Sequence, residues 1–160
     1  MKSRLFLVLL FCVSYSCYSF GQQNISEFSI LFYNVENLFD IYDNPETEDD
    51  NFTPQGELHW TSKRFSAKLL NISKVLLSAS GWNVPDIIVF AEIENRDVLE
   101  KLIKNTPLKS VPYKIIHKES PDFRGIDVAL IYNSKQFFPL EYKYYPLTVK
   151  GKLLNTRELL

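Results

Sequence analysis

The sequence predicts an α/β domain in which helices pack on a central sheet. Short apolar segments rich in β-favouring residues alternate along the chain with segments of helical periodicity. One of them, residues 86–92, contains an unbroken apolar run, which is typical of a strand buried on both faces. The composition, with 46% hydrophobic and 23% charged residues, is that of a globular protein and excludes disordered and fibrous classes.

The N-terminal segment has the organisation of a secretory signal peptide. A basic start precedes an apolar run over residues 5–13, and the small residues Ser19 and Gly21 suit cleavage after Gly21. We therefore predict a signal peptide over residues 1–21 and a mature domain over residues 22–160. The apolar run of nine residues is shorter than the roughly 20 that span a bilayer, so no stable membrane anchor is expected.

This segment predicts a secreted or periplasmic location. A lipid anchor on Cys17 is the alternative, but residues 14–16 lack the leucine expected before it. Both cysteines, Cys12 and Cys17, lie within the signal segment, so the mature chain would have neither a disulfide nor a thiolate metal site. The net charge of −1 excludes a strongly basic nucleic-acid clamp but leaves phosphate binding through a metal possible.

The first predicted element of the mature chain is a strand over residues 27–33, where apolar and aromatic residues dominate. A loop is predicted over residues 40–56, which are rich in Asp and Glu and contain Pro and Gly. Its acidic residues lack the order of an EF-hand loop, so we expect a solvated, mobile loop rather than a calcium site.

A helix is predicted over residues 61–79. Its apolar residues recur at spacings of four, three and four, which places them on one helical face: Phe65, Leu69, Ile72 and Leu76. Thr61 or Ser62 is the expected N-cap, and Gly81 is the expected stop.

The remaining elements continue the alternation. After the strand over residues 86–92, Asn95 or Asp97 is expected to cap a second helix. Its core-facing residues are Val98, Leu99, Leu102 and Ile103. Further strands are predicted over residues 113–117, 126–132 and 136–147, the last interrupted by Pro139.

Two polar residues end apolar strands. Glu92 closes the buried strand and Asn34 follows the first one. Open sheets bind ligands just beyond such strand ends, and a carboxylate there suits a hard cation such as Mg²⁺. An Asn amide supports a metal-bound carboxylate or donates to a phosphate. Each has a structural alternative: Glu92 as an acid that meets solvent or caps the next helix, and Asn34 as a turn residue.

Residues 120–127 hold a further polar cluster. The cluster contains Asp122, Arg124 and Asp127. The planar guanidinium of Arg124 suits phosphate, and the alternative is a surface turn with a salt bridge. Asp127 lies one residue inside an apolar strand, where a carboxylate needs a partner.

Several common catalytic motifs are absent from the sequence. His59 and His117 are the two histidines, and neither has a second His four residues away, which excludes an H-E-x-x-H zinc site. G-x-S-x-G, P-loop and dinucleotide-binding fingerprints are also absent. Acyl transfer, nucleoside triphosphate hydrolysis and hydride transfer therefore lose support.

Four segments, in their order, resemble the endonuclease/exonuclease/phosphatase family. They are FYNVENLFD (32–40), the stretch over residues 50–76, PDIIVFAEIENRDVLEKL (85–102) and DFRGIDVALIYN (122–133). They are most similar to the exported bacterial branch often described as predicted extracellular nucleases. The resemblance extends from about residue 27 to residue 160.

The resemblance implies a fold, a chemistry and site residues. The fold would be the N-terminal portion of a four-layer α/β sandwich, and the chemistry would be phosphoester hydrolysis with Mg²⁺ or Mn²⁺. Asn34 and Glu92 correspond to the family's metal-side catalytic Asn and Glu, and Arg124 and Asp127 lie in a segment similar to its substrate side. The implied function is a secreted, endonuclease-like phosphodiester hydrolase acting on nucleic acid or another phosphoester.

The sequence departs from the family pattern in its second half. The G-D-x-N and S-D-H segments, which supply the family's water-activating Asp, phosphate-binding Asn and catalytic His, are absent from residues 1–160. We therefore expect the chain to be a truncated, inactive part of a larger catalytic domain. A phosphatase or phospholipid phosphodiesterase of the same family, and a non-catalytic secreted binding module, remain as alternatives.

Overall fold

The computed structural model describes residues 27–156 together with Glu158 and Leu160. The predicted signal peptide lies outside the described residues. The described part is a mixed α/β fold, as predicted, in which two helices pack on a four-stranded sheet.

The sheet consists of β1 (Ile30–Leu38), β2 (Ile87–Ile93), β3 (Tyr113–His117) and β4 (Asp127–Asn133). Its strand order is β1-β2-β4-β3, with β1 and β2 parallel and the other neighbours antiparallel. A separate short hairpin joins β5 (Thr148–Val149) and β6 (Lys152–Leu153). Because β1 and β2 are parallel, their carboxyl ends lie at the same edge of the sheet.

The two helices begin where the sequence predicts. Helix α1 (Ser62–Ala79) starts at Thr61, whose side chain accepts from the backbone N–H of Arg64. Helix α2 (Arg96–Lys104) starts at Asn95, whose side chain accepts from the backbone N–H of Val98 at 3.0 Å. Each bond satisfies one of the unpaired donors at a helix start. Short 3₁₀ turns cover Asp50–Phe52 and Pro107–Ser110.

One face of the sheet packs on both helices and forms the hydrophobic core. The predicted apolar faces of the helices are buried there, including Phe65, Leu69, Ile72, Leu76, Val98, Leu99 and Leu102. They meet sheet residues such as Val35, Ile88, Phe90 and Ile131. The helix spacing and the buried β2 run therefore predict this layer correctly.

The opposite face of the sheet is apolar and partly exposed. Ile30 and Phe32 of β1 are 57% and 70% exposed, and Phe32 is in register with Val89 of β2, itself in register with Leu130 of β4. Neither helix covers this apolar face, so it offers a surface on which a further layer can pack.

The predicted strand over residues 136–147 is wrong. Among the described residues, regular pairing in the C-terminal region is confined to the β5–β6 hairpin and a single bridge at Tyr145. Phe138 and Leu140 are 84% and 96% exposed. Pro139 between them cannot donate to a ladder, and a β-favouring composition produces a strand only where a neighbouring edge accepts it.

The acidic loop is more tightly packed than its composition indicates. Asp40 and Asp49 are buried, and the ring of Phe52 stacks on that of Phe39 with centroids 4.1 Å apart. The expectation of a solvated loop is therefore wrong for these two carboxylates.

Neither helix of the described chain is long and apolar enough to cross a bilayer.

Candidate active site

Glu92 lies in an irregular part of β2, at the edge where the parallel strands end. The registers of β2 with β4 and of β1 with β2 both shift here, as at a β-bulge. Glu92 has a φ of 68°, and Glu36 and Asn37 on β1 have φ of 54° and 63°. Three non-glycine residues in the left-handed region cost about 1–3 kcal/mol each, and such strain clusters at functional sites.

Asn34 and Glu92, which are 58 positions apart in the sequence, are brought into direct contact. Asn34 Nδ2 donates to Glu92 Oε1 at 3.1 Å, and the backbone N–H of Asn37 donates to Glu92 Oε2 at 3.1 Å. Asn34 Oδ1 accepts from the backbone N–H of Glu36 at 2.9 Å. The amide thus faces the carboxylate with its nitrogen, and the two donors fix the orientation of the carboxylate.

Arg124 is held by Asp122. Its Nε and Nη2 donate to the two carboxylate oxygens of Asp122 at 3.1 and 3.0 Å, a bidentate geometry. These bonds to Asp122, together with the negative charges of Asp122 and Glu92, raise the pKa of Arg124. The salt bridge expected as the alternative is therefore present. The negative charge of Glu92 also acts on the guanidinium. Binding of phosphate by Arg124 remains a prediction.

Asp127 has the partner that its position requires. Its Oδ2 lies 2.9 Å from His117 Nε2, and its Oδ1 accepts from the backbone N–H of Ser120 at 2.8 Å. The side chains of both Asp127 and His117 are almost fully buried. The structure thus shows Asp127 in contact with His117, and contact of Asp127 with substrate stays a prediction.

Oxygen ligands for a divalent cation occur in two places. Glu92 presents a carboxylate oriented by amide donors, as is usual for metal-ligating carboxylates. His117, Glu119 and Asp127 form a second group, whose potential ligand atoms lie within 4.8 Å of one another. In that group both oxygens of Asp127 already accept or share protein hydrogen bonds, so a cation there would have to displace His117 or Ser120.

Two residues near Glu92 were missed by sequence reasoning. Lys68 of α1 donates from Nζ to the carbonyl oxygens of Glu36 and Asn37, at 2.6 and 2.9 Å. Glu94 is only 7% exposed and accepts from the backbone N–H of Asp40. The sequence signal for Glu94 was its place directly after the buried strand that contains Glu92. Lys68 gave no signal beyond its place between two core residues of a helix.

Burial changes the protonation of Glu94. Loss of solvent, and the neighbouring carboxylates of Asp40, Asp49 and Glu119, raise the pKa of Glu94 to about 8, against one opposing hydrogen bond from Asp40. A buried carboxyl group therefore lies two residues beyond Glu92 and is largely protonated at neutral pH.

The acidic loop docks on the turn that carries Arg124. The backbone N–H of Glu48 donates to the carbonyl of Phe123 at 2.9 Å. Gly125 has a φ of 66°, and a Cβ there would lie 2.8 Å from Thr47 Cγ2. Both the left-handed backbone and the close approach require glycine at this position.

Gly125→Ala is expected to lower the free energy of unfolding by about 1–3 kcal/mol, because it combines an unfavourable φ with a steric clash. Urea unfolding followed by circular dichroism measures the loss. Gly81→Ala is the matched control, since Gly81 has a φ of 61° with no atom within 4 Å of the added Cβ. Equal losses for the two variants would show that contact with Thr47 contributes nothing.

Comparison with known proteins identifies the family. The sequence model described as Endonuclease/Exonuclease/phosphatase family matches residues 29–160, which is most of the chain. No curated protein and no solved structure matches the sequence. Members of this family are hydrolases of the nuclease and phosphatase type, typically dependent on a divalent metal and acting on nucleic acids or other phosphoesters. The chain, with its mixed α/β sheet and its Asn34–Glu92 pair beside the irregular part of β1 and β2, belongs to the endonuclease/exonuclease/phosphatase family.

Proposed function

We propose that this chain provides the metal-binding part of an exported, endonuclease-like phosphodiester hydrolase. The main support is the Glu92 carboxylate, oriented by Asn34 and by the backbone of Asn37 at the edge where β1 and β2 end. Strained backbone around an oriented carboxylate favours a functional site over a solvent-exposed strand end. The family match supports a hydrolytic role for this site.

Mg²⁺ or Mn²⁺ is the proposed cofactor. The donor set fits, because hard divalent cations prefer oxygen ligands and Glu92 offers a carboxylate already held by hydrogen bonds. Glu92 would hold the ion, and Asn34 would fix the carboxylate and contribute to the same site. When bound, such an ion neutralises negative charge that develops on a phosphoryl group during hydrolysis.

Arg124 is the proposed phosphate-binding residue. Its pairing with Asp122 restricts the guanidinium to one orientation, and the charge of Glu92 acts on it. A planar, oriented guanidinium binds phosphate oxygens through paired hydrogen bonds. Asp127 would contribute indirectly, since it ties the end of β3 to the start of β4 through His117 and Ser120.

The mature chain over residues 22–160 is proposed to be inactive by itself. The G-D-x-N and S-D-H segments are absent from it, so the family's general base and general acid are not supplied. The exposed apolar face around Phe32 also supports an incomplete sandwich, because a second sheet would cover it.

Two alternatives differ from this proposal in measurable ways. A phosphatase or phospholipid phosphodiesterase would use the same metal site on another phosphoester. A secreted binding module would keep the fold without hydrolysis. The net charge of −1 gives no electrostatic preference for DNA, so substrate choice must be measured.

The test begins with the genomic DNA downstream of codon 160. We expect an in-frame continuation that encodes G-D-x-N and S-D-H segments, and we expect the continued protein to cleave plasmid DNA only with Mg²⁺ or Mn²⁺. Inositol phosphates and sphingomyelin serve as competing substrates, and faster cleavage of either would favour the corresponding alternative. A continued protein that hydrolyses none of them would favour the binding module.

Residues 22–160 are assayed in parallel and are expected to leave all three substrates intact. Mg²⁺-dependent plasmid cleavage by this chain alone, lost in Glu92→Ala, would refute the proposed inactivity while supporting the role of Glu92.

A further inference from the structure

Lys68 reaches from α1 to the strained segment of β1. Its Nζ donates to the carbonyls of Glu36 and Asn37, the two consecutive left-handed residues of that strand. Its ammonium also lies 5.6 Å from the ring centroid of Trp60, whose indole N–H donates to the carbonyl of Phe39 at 3.0 Å. The start of α1 is therefore fastened to the end of β1 at several points.

One of these contacts continues directly to Glu92. The carbonyl of Glu36 and the N–H of Asn37 belong to the same peptide group, and this peptide is trans. In a trans peptide the C=O and N–H point in opposite directions. Lys68 therefore binds the oxygen side of the group whose nitrogen side donates to Glu92 Oε2 at 3.1 Å.

This chain of bonds has two physical consequences. A cation on the carbonyl oxygen polarises the peptide, which strengthens the hydrogen bond that its N–H donates. Two charge-assisted bonds to consecutive carbonyls also stabilise the left-handed conformation of Glu36 and Asn37, which is otherwise unfavourable. Without Lys68, the Glu36–Asn37 segment loses a stabilising contact at the peptide whose N–H donates to the carboxylate of Glu92.

The surroundings of Lys68 favour this positioning role over a loose surface contact. Burial lowers the pKa of Lys68, against the opposing charges of Glu36 and Glu92. A partly buried ammonium needs acceptors, and two carbonyls of one short segment provide them.

We propose that Lys68 is a positioning residue that orients the carboxylate of Glu92 through the Glu36–Asn37 peptide. The inference rests on the proposed function of Glu92 as a ligand for Mg²⁺ or Mn²⁺. Lys68 acts through the backbone and contacts neither metal nor substrate. Its role is to raise the affinity of the Glu92 site for the cation by fixing the carboxylate before the ion arrives.

The test compares Lys68→Met, which keeps the aliphatic stem, with Lys68→Arg, which keeps charge and donors. Lys74→Met is the control, since Lys74 is an exposed lysine of the same helix. The first readout is hydrogen exchange of the Asn37 amide without metal. The second is Mn²⁺ affinity, measured from the electron paramagnetic resonance signal of the free ion.

We expect Lys68→Met to speed exchange of the Asn37 amide by about tenfold or more and to weaken Mn²⁺ binding by about 10–100-fold, the range for lost outer-shell partners of a metal ligand. Lys68→Arg is expected to retain most of the protection of the Asn37 amide and most of the Mn²⁺ affinity. Lys74→Met is expected to match the wild type in both measurements. If Lys68→Met does not fold, the arginine variant decides: it must fold and bind Mn²⁺ for the proposal to hold.

The outcomes separate this proposal from the function on which it rests. Unchanged exchange of Asn37 and unchanged Mn²⁺ affinity in folded Lys68→Met would overturn the positioning role. Mn²⁺ binding that is insensitive to Glu92→Gln would instead refute the metal site. If exchange of the Asn37 amide rises in both Lys68→Met and Glu92→Gln, the hydrogen bonds from Lys68 through the Glu36–Asn37 peptide to Glu92 are supported, whether or not Glu92 binds the metal.

Discussion

Glu92→Gln is expected to remove Mn²⁺ or Mg²⁺ binding from the edge of the sheet and to lower metal-dependent hydrolysis by more than about 100-fold, since loss of even an outer-shell partner costs 10–100-fold. The amide keeps the size of the side chain but loses the negative charge that the cation requires. Mn²⁺ titration followed by electron paramagnetic resonance measures binding in residues 22–160. Plasmid cleavage measures activity in any longer form of the protein that hydrolyses DNA.

A matched substitution controls for the loss of one negative charge from the protein as a whole. Glu57 is exposed in the loop before α1, so Glu57→Gln removes the same charge from the protein and should leave binding unchanged. Full Mn²⁺ binding by Glu92→Gln would show that the ion binds elsewhere. The His117, Glu119 and Asp127 group would then be the next site to test, and loss of binding in Glu119→Gln would identify it.

Raising the pH from 5 to 9 is expected to destabilise the wild type more than Glu94→Gln. Burial raises the pKa of Glu94 from 4.5 to about 8. The folded protein therefore retains a proton between these values that the unfolded chain has lost. This contribution to stability is complete below pH 4.5 and is lost progressively as the pH rises to about 8, because over this range only the unfolded chain has released the proton.

The expected difference between the two proteins is on the order of a few kcal/mol at pH 9 and small at pH 5. Urea unfolding at a series of pH values measures it. The carboxyl groups of Asp40, Asp49 and Glu119 act on the same group, so the comparison with Glu94→Gln is needed to isolate Glu94. Parallel pH profiles for wild type and variant would contradict the proposed burial of a protonated Glu94.

Local sequence signals predicted most of the helix-packed layer. The spacing of Phe65, Leu69, Ile72 and Leu76 identified α1. Thr61 and Asn95 were each one of two expected caps, and their side-chain oxygens accept from N–H groups of the next turn. These features depend on residues within one or two turns of each other, so a single sequence contains the necessary information.

The sequence marked Asn34 and Glu92 as polar residues that follow apolar runs, but it did not predict that they touch. They meet because β1 and β2 are parallel neighbours whose regular register ends at Asn34 and Ala91. The prediction of a strand over residues 136–147 was wrong. Whether a β-favouring segment becomes a strand depends on a neighbouring edge, which composition does not reveal.

The sequence by itself determined the fold class and the helix faces, and it indicated the residues that are proposed to hold a cation. Tertiary structure decided how those residues are supported. Lys68 contacts the Glu36–Asn37 peptide because α1 packs beside the end of β1. The pKa of Glu94 is raised because its side chain is buried and lies near the carboxyl groups of Asp40 and Asp49 in the acidic loop. Both effects arise from contacts between segments more than thirty positions apart, so no local pattern carries them.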